Sequence, residues 1–461
     1  MSNRDEISPD EARDLGMGIR IERRDFLQGA AIAVGLGLAP ELALAAEAER
    51  AAQDQPGYYP PTLTGMRGSH PGSFEDAHAL RDGDLFKNVS DTGEDYDLIV
   101  VGGGISGLAA ARFYRAAQGP KAKILILDNH DDFGGHAKRN EFTIDGRLQL
   151  MNGGTMGISS ATPYSAVADG VMKELGIHPE ELSKASYEPG FYSGMGLGSG
   201  TFFDKETFGA DKFVRNPDRA RGEGANREAM QAFLDAAPLA PAVRASILDI
   251  EAGNTDYLPG LTSDQKKDHL SRLSYQDFLL KDAKADPGIV PYYRHRTDGL
   301  WGCGVDGVSA LDCWGSGLPG FQGLNLAPGA TPRMGYTPGN EMRTGGSYSF
   351  HFPDGNASVA RLLVRDLIPA AIPGAGVESI VLARADYSQL DKPGQNVRIR
   401  LSAPVVGARN LGTGRNTGVE IHYRRNGKTW RVRARQCVLA CWNMMIPYLC
   451  PEMPEAQKAA L

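Results

Sequence analysis

The hydrophobic pattern changes its period twice in the first third of the chain. Residues 97–101 form a short apolar run, and a helix-like segment follows up to Gln118, where Gly119-Pro120 ends it. Residues 124–127 are a continuous aliphatic run, which is typical of a parallel strand covered on both faces. The pattern therefore predicts a β-α-β unit. The residues predicted to line the inner face of its helix are Ile105, Ala109, Phe113 and Ala116.

Regular periods return in the last quarter of the chain. Residues 357–368 predict a helix whose apolar face carries Val359, Leu362, Leu363 and Leu367. Three alternating runs predict an antiparallel meander with one solvated face, and residues 436–441 predict a buried strand returning to the sheet. The alternating runs are Val397, Ile399 and Leu401; Val419, Ile421 and Tyr423; and Trp430 and Val432.

The turn after the first apolar run carries the clearest chemistry. Gly102, Gly104 and Gly107 form a G-x-G-x-x-G motif between a predicted strand and a predicted helix, which is the context that a dinucleotide-binding loop requires. Asp128 ends the next strand, where a carboxylate accepts a hydrogen bond from a ribose 2′-hydroxyl and repels a 2′-phosphate. The motif predicts an FAD or NAD site in preference to an NADP site. The alternative is a glycine-rich turn without a ligand.

Composition narrows the choice of partners. The chain has 461 residues and a formal net charge of −7, which argues against a nucleic-acid partner and is compatible with a cationic substrate. It contains 57 glycines, where average usage predicts about 32. No spacing of its five cysteines matches a zinc motif, and no H-E-x-x-H is present, so no metal is expected outside haem.

The amino terminus carries an export signal. Arg23-Arg24 opens a twin-arginine motif, and a weakly apolar stretch leads to Ala43-Leu44-Ala45, which has the form of a cleavage site. We therefore expect residues 1–45 to be a signal peptide and the mature protein to be periplasmic, without a stable membrane span. The alternative is an uncleaved anchor, although the apolar run is shorter than a bilayer requires.

Two further groups of side chains are candidates for ligand binding. The approach segment, residues 46–94, contains Met66, His70 and His78, and His and Met are the usual axial ligands of haem. Their alternative role is as surface or capping residues. Aromatic faces and carboxylates suited to an amine lie further along the chain, at Asp298, Trp301, Asp312 and Trp314. Their alternative role is in an aromatic core and in helix capping.

Several long stretches resemble, in the family's order, the bacterial spermidine dehydrogenases of the flavin amine oxidase superfamily. The stretches are YYPPTLTGMRGSHPGSFEDAH, the glycine motif with Gly134-Gly135 six residues beyond Asp128, DGLWGCGVDGVSALDCW, GSGLPGFQGL, SYSFHFPDGNASVARLLVRDLIP and NVRIRLSAPVVGARN. The resemblance implies that FAD is the cofactor and that some members also carry haem b.

The resemblance also implies individual cofactor residues. The superfamily's diglycine is usually followed by Arg; here His136 stands in that place, and Lys138 and Arg139 come just after it. Gly153, Gly154 and Thr155 match a second glycine turn close to the flavin, for which the alternative is a simple hairpin turn. Val405 matches a position whose backbone usually faces the adenine.

The activity implied by the resemblance is FAD-dependent oxidation of spermidine at its secondary amine. Hydride would pass from the carbon next to the unprotonated nitrogen to flavin N5, and hydrolysis of the imine would give 1,3-diaminopropane and 4-aminobutanal. The electron acceptor is unknown. The alternatives are an FAD oxidoreductase of another amine or of an apolar substrate, and a non-catalytic FAD-binding remnant.

The predicted architecture is α/β. A Rossmann-like FAD-binding domain, residues 95–157 and 345–461, includes the antiparallel meander and is interrupted by an inserted mixed α+β substrate domain, residues 158–344. The superfamily continues past the returning strand with a segment that contacts the flavin pyrophosphate and the substrate. This sequence ends at Leu461, so we expect that C-terminal part to be missing.

Overall fold

A computed structural model describes twelve stretches of the chain. They are residues 51–63, 70, 72–159, 165–178, 181–182, 188, 190–217, 226–327, 329, 331–335, 349–413 and 417–461. The predicted signal peptide and Met66 lie outside the described residues. The strands are β1 (Val89–Val101), β2 (Ile124–Leu127), β3 (Arg139–Ile144), β4 (Arg147–Asn152), β5 (Ile158–Ser159), β6 (Gly200–Phe203), β7 (Lys212–Arg215), β8 (Ser349–Phe350), β9 (Val397–Arg400), β10 (Val405–Asn410), β11 (Val419–Arg425) and β12 (Lys428–Leu439).

Short helices outnumber long ones in the described part of the chain. The α-helices are α1 (Glu75–Arg81), α2 (Ile105–Gln118), α3 (Ala166–Glu174), α4 (Phe191–Gly194), α5 (Lys205–Phe208), α6 (Arg227–Ala236), α7 (Pro241–Ala252), α8 (Ser263–Leu270), α9 (Tyr275–Asp277), α10 (Val290–Tyr293), α11 (Asp298–Trp301), α12 (Ala310–Gly315), α13 (Ala357–Leu367), α14 (Ile446–Leu449) and α15 (Glu455–Lys458). Among the described residues, no helix is both long enough and apolar enough to span a bilayer.

A six-stranded sheet organises the nucleotide-binding part, in the order β10-β11-β12-β1-β2-β9. Strands β12, β1, β2 and β9 run parallel, whereas β10, β11 and β12 are joined as an antiparallel meander. The sheet is therefore mostly parallel, as predicted for a Rossmann-like fold. The carboxyl ends of β1, β2, β9 and β12 meet at one edge, which is where such sheets bind their ligands.

Both faces of the parallel strands are covered, which confirms the interpretation of the aliphatic run at 124–127. Leu98, Val100 and Ile126 face a core shared with α2 and α13, while Ile99 and Leu125 face the core formed with the meander. Helix α13 has its predicted apolar face buried against α2. An ion pair of 2.7 Å between Arg115 Nη2 and Asp366 Oδ2 also links the two helices.

Two expectations about the parallel sheet were wrong. The run at 397–401 does not belong to the meander: β9 pairs in parallel with β2 and is fully buried. The alternation of the run misled because its polar members, Arg398 and Arg400, are themselves buried through ion pairs with Asp391. Residues 436–441 do return to the sheet beside β1, but Val438 is exposed, so this strand is only partly covered.

The inner face of α2 also differs from the expected one. Gly107, Leu108 and Ala111 are buried, whereas Phe113 and Ala116 are exposed. A Cβ at Gly107 would overlap the carbonyl oxygen of Gly102, so the helix lies close to the glycine loop along this line. Phe113 lies about 140° round the helix from Leu108 and consequently faces outward.

The part of the chain between the two halves of the nucleotide-binding region has a core of its own. That core is mostly helical, is lined by aromatic residues such as Tyr275, Phe278 and Phe321, and includes one face of the β6-β7 hairpin. It agrees with an inserted mixed α+β unit. Ile158, Leu175 and Ile177 pack instead in the core beneath α2 and α13. The exact domain boundaries stay predictions.

The free edge of the parallel sheet is closed by the segment that precedes the fold. The buried side-chain amide of Gln53 donates from Nε2 to Ile399 O (3.1 Å), and its Oε1 accepts from Leu401 N–H (2.7 Å). Arg425 Nη2 also donates to Oε1, at 3.0 Å. One side chain thus satisfies the backbone groups that an edge strand exposes. Residues 51–63 are therefore part of the folded unit.

Replacing Gln53 with Ala should destabilise the protein. The change leaves the buried Ile399 carbonyl and Leu401 N–H without partners, and each loss costs about 1–3 kcal/mol. Chemical denaturation would measure the difference in the free energy of unfolding. The control is Gln55→Ala, because Gln55 is exposed two residues away. Equal midpoints for the two variants would show that Gln53 does not hold the edge.

Candidate functional site

The glycine loop is built around contacts that only glycine permits. Gly102 has φ of +109°, and a Cβ there would overlap the carbonyl oxygen of Ala440. Ala440 N–H donates to Val101 O (2.8 Å), so the end of β12 is fixed beside the end of β1. Gly104 is the N-cap of α2, and its carbonyl accepts from Leu108 N–H at 2.9 Å. The first N–H groups of α2 thus lie at the carboxyl edge of the sheet, where they favour a phosphate.

Asp128 connects this loop to the next strand. The residue is 4% exposed, and its Oδ2 accepts a hydrogen bond from Gly103 N–H (2.6 Å) while Oδ1 accepts from His130 N–H (2.7 Å). Burial raises the pKa of the Asp128 carboxyl, and the two N–H groups and the nearby Lys138 oppose that rise. Each carboxylate oxygen retains a second lone pair, which can accept a ribose hydroxyl.

The diglycine at 134–135 lies directly against the first loop. Gly134 N–H donates to Gly103 O (2.8 Å), and Gly104 and Gly134 form an isolated parallel bridge. Both glycines have positive φ, and a Cβ on Gly135 would lie 3.2 Å from the Cα of Gly104. Two glycine turns separated by a strand and a helix therefore form a single backbone surface.

The basic residues after the diglycine differ in their exposure and in their contacts. His136 is exposed, whereas Lys138 and Arg139 are buried. The Arg139 guanidinium contacts Glu141 (2.7 Å) and Asp354 (3.2 Å) and donates to the carbonyl of Val381 (2.6 Å). Its contacts are those of a structural ion pair that joins β3 to the residues before α13.

The second glycine turn packs on the segment that follows the diglycine. Gly153 N–H donates to the Lys138 carbonyl (2.7 Å), and a Cβ on Gly154 would come within 2.9 Å of the His136 carbonyl. Thr155 O accepts from Asn356 N–H (3.1 Å), which connects the turn to the N-cap of α13. These residues come after the β3-β4 hairpin and are not its turn. The turn itself lies between Ile144 and Arg147.

Val405 follows a segment that is bonded to the backbone of Asp128. Strand β10 begins at Val405, and two residues before it Ala403 N–H donates to the Asp128 carbonyl (2.8 Å). Ser402 N–H bonds to the His130 carbonyl at the same distance. The structure thus brings the motif glycines, Asp128, the diglycine and the chain leading to Val405 to one edge of the sheet.

Sequence reasoning missed His130 and Asp131, which contact the haem candidate His70. His70 Nε2 lies 3.2 Å from His130 Nδ1 and accepts from Asp131 N–H (3.1 Å). Burial, together with the charge of Lys138 and the neighbouring His70, lowers the pKa of His130 to about 4. The available sequence signal was the position of His130 and Asp131, just after the strand-end acid Asp128. Among the described residues, no group of three potential ligands is arranged to hold a metal ion.

The two haem candidates that the structure describes, His70 and His78, have different surroundings. His70 is engaged with His130 and Asp131, whereas His78 lies exposed on α1 and packs on Phe74, with ring centroids 5.1 Å apart. Haem binding stays a prediction.

The four candidates in the inserted part have internal partners. Asp298 contacts His295 Nδ1 (2.6 Å), and Asp312 accepts from Ser309 Oγ (2.9 Å) at the start of α12. Trp314 has Lys267 Nζ over its ring at 5.3 Å. Trp301 and Trp314 are partly buried against the inserted core. The structure places Asp298 and Trp301 on α11 and the other pair on α12, and their role in substrate binding stays a prediction.

Residues 100–175 match the family model of an NAD(P)-binding Rossmann-like domain. No curated protein matches the chain. A double mutant of putrescine oxidase, from a redesign of cofactor binding, is 16% identical, covering 79% of this chain and 63% of that chain at a TM-score of 0.35. Wild-type putrescine oxidase bound to putrescine is 16% identical, covering 79% and 62% at 0.34. A CLA-producing fatty acid isomerase from P. acnes is 13% identical, covering 81% and 64% at 0.36.

The chain spans less than two thirds of the length of each of these solved chains. The sheet order, the glycine loop and the family model define the class. This is a mixed α/β protein with an NAD(P)-binding Rossmann-like domain on a mostly parallel central sheet. Its residues fit an adenine dinucleotide, because the consecutive glycines 102–104 carry no side chains and lie beside the buried carboxylate of Asp128.

Gly102→Ala should disrupt both the fold and nucleotide binding. The added methyl group would overlap Ala440 O and force apart the ends of β1 and β12, in addition to a backbone strain of about 1–3 kcal/mol. The matched control is Gly119→Ala at the other end of α2. Gly119 has φ of +94° but nothing within 4 Å of its Cβ position. Calorimetry should therefore show a larger loss for Gly102→Ala, and equal losses would contradict the contact.

The half-buried imidazole of His130, with its lowered pKa, predicts a stability loss in mild acid. Its pKa of about 4 lies below the ordinary 6.5, so the unfolded chain binds this proton first and stability falls as the pH drops from 6.5 towards 4. The charged and titratable groups facing it are Lys138, His70, Asp131 and His136. Between pH 7 and 5, wild type should lose about 1 kcal/mol more than His130→Gln, after allowance for solvent screening.

Urea denaturation at the two pH values measures that difference. The control is His136→Gln, which replaces an exposed imidazole six residues away and should follow wild type. The interpretation fails if His130→Gln and wild type lose the same stability.

Proposed function

We propose that the chain binds FAD and belongs to an oxidoreductase that oxidises an amine. The preferred substrate in this proposal is the polyamine spermidine. The observation that carries the proposal is the diglycine at 134–135, which lies against Gly103 and Gly104. A single glycine loop with a strand-end acid is common to NAD and FAD sites. The second glycine turn extends the surface over which a longer dinucleotide can lie, and the resemblance to flavin amine oxidases favours FAD.

The residues of this chain would hold the adenine half of the cofactor. Asp128 would accept the ribose hydroxyl, and the N–H groups at the start of α2 would face the diphosphate. Gly134 and Gly135 leave the backbone bare where the diphosphate continues. When bound, FAD supplies the hydride acceptor. The protein must then place the substrate carbon over that acceptor and favour the neutral form of the reacting nitrogen.

The proposed substrate is a polyamine such as spermidine, whose secondary amine lies between two cationic ends. Carboxylates and aromatic rings of the inserted part, at Asp298, Trp301, Asp312 and Trp314, are the proposed anchors for those ends. Each of the two acids would have to exchange its present contact, with His295 or with Ser309, for the ammonium. The products would be 1,3-diaminopropane and 4-aminobutanal.

Two other functions keep the same nucleotide site. The substrate could be another amine or an apolar molecule, and the chain could be an FAD-binding remnant without catalysis.

We also propose that the twin-arginine motif exports the protein to the periplasm with its cofactor already bound. Replacing both arginines with lysine should retain the protein in the cytoplasm.

The test is anaerobic addition of spermidine to the flavin-loaded full chain. We expect the oxidised flavin absorbance to disappear, while a diol of matched length, which has no nitrogen, leaves it unchanged. Bleaching by a fatty acid alone would favour the apolar alternative. Bound flavin that no amine or fatty acid reduces would favour the remnant. A chain that retains no FAD after expression or reconstitution would refute the proposal.

A further inference from the structure

The charge distribution next to the glycine surface singles out one side chain. A dinucleotide brings a diphosphate, and Asp128, whose carboxylate accepts from Gly103 N–H of the loop, adds negative charge at the same edge of the sheet. A site that takes such an anion needs a fixed cation as well as helix N–H groups. The basic residues that follow the diglycine are the natural source.

Two of the three basic residues do not suit this role. His136 occupies the position immediately after the diglycine, but its side chain is exposed. Arg139 is buried, yet its guanidinium is already engaged with Glu141, Asp354 and the carbonyl of Val381. Recruiting it would break its ion pairs with Glu141 and Asp354, and removing one partner of a buried ion pair is strongly destabilising.

Lys138 differs from both neighbours. The residue is 7% exposed, and its Nζ has no hydrogen-bond partner among the residues that the structure describes. Its ion-pair contact, Asp131 Oδ1, lies 3.5 Å away, which is longer than a charge-assisted hydrogen bond. An ammonium group has three N–H donors, and leaving them unused in a buried position is costly.

The backbone of Lys138 is fixed by hydrogen bonds with the two glycine turns. Its carbonyl accepts from Gly153 N–H (2.7 Å), and the preceding residue, Ala137, donates its N–H to Gly134 O (2.9 Å). Its charge acts on both Asp128 and His130, which follow one another at the end of β2. The backbone of Lys138 is thus held by both glycine turns, and its ammonium lies close enough to the strand-end acid for its charge to act on Asp128.

We propose that Lys138 is the cation of this site, and that its buried ammonium binds the diphosphate of the dinucleotide. This inference rests on the proposed function, since it requires that the site takes a dinucleotide. In this chain the charge follows the diglycine by three residues, whereas the exposed His136 occupies the adjacent position. The nucleotide oxygens supply the acceptors that Nζ lacks in the ligand-free chain.

The experiment compares ADP with adenosine by calorimetry on the flavin-free full chain. ADP contains the diphosphate and adenosine does not. Lys138→Met should weaken ADP and FAD binding about 10- to 100-fold, as expected for loss of a hydrogen bond to a charged group, and leave adenosine binding unchanged. Lys138→Arg, which keeps the charge, should recover part of the loss. The control is Lys121→Met, because Lys121 is exposed beyond the end of α2.

The outcomes separate the possible failures. Unchanged ADP affinity in Lys138→Met, or an equal loss of ADP and adenosine, overturns the role of Lys138 while the proposed FAD site stands. Wild-type protein that binds neither FAD nor ADP overturns both. If the Met variant does not fold, Lys138→Gln replaces it, because Gln removes the charge and retains donors for the buried position.

Discussion

The hydrogen bonds of Asp128 hold together the parts on which this structure depends. A buried carboxylate at the end of β2 accepts the N–H of Gly103 from the end of β1, and its own carbonyl accepts the N–H of Ala403 after β9. Three parallel strands are thereby fixed at their carboxyl ends. The same carboxylate would accept a hydrogen bond from the ribose. The acid that organises the edge of the sheet would therefore also select which nucleotide binds there.

Glycine has a second function in this arrangement, which is to bring backbone segments into direct contact. Gly102 approaches the end of β12, Gly107 approaches Gly102, and Gly135 approaches Gly104. These contacts bring turns that are distant in sequence onto one surface. Lys138 lies buried beside that surface, where a low local dielectric strengthens its attraction for an anion. With Lys138 in its proposed role, the site would combine a bare backbone, a carboxylate and a buried ammonium.

Sequence patterns predicted local structure well where a residue's neighbours along the chain decide its environment. The β-α-β unit, helix α13, and the runs that form β11 and β12 follow directly from hydrophobic period, and the glycine spacing located the loop. The patterns failed where distant groups reverse the meaning of polarity. Arg398 and Arg400 read as outward-facing, but Asp391 and Glu94 pair with them, so β9 is a buried parallel strand.

By itself, the sequence determined the class of fold and the residues of the dinucleotide loop, because G-x-G-x-x-G between a strand and a helix has few other uses. Only the tertiary structure decided how the other residues are employed. It placed the diglycine on the first loop, engaged Arg139 in an internal ion pair and left the ammonium of Lys138 buried beside both glycine turns. These outcomes depend on which charged residues come into contact in the folded protein. When such residues are far apart in sequence, the local sequence around one of them does not indicate its partner.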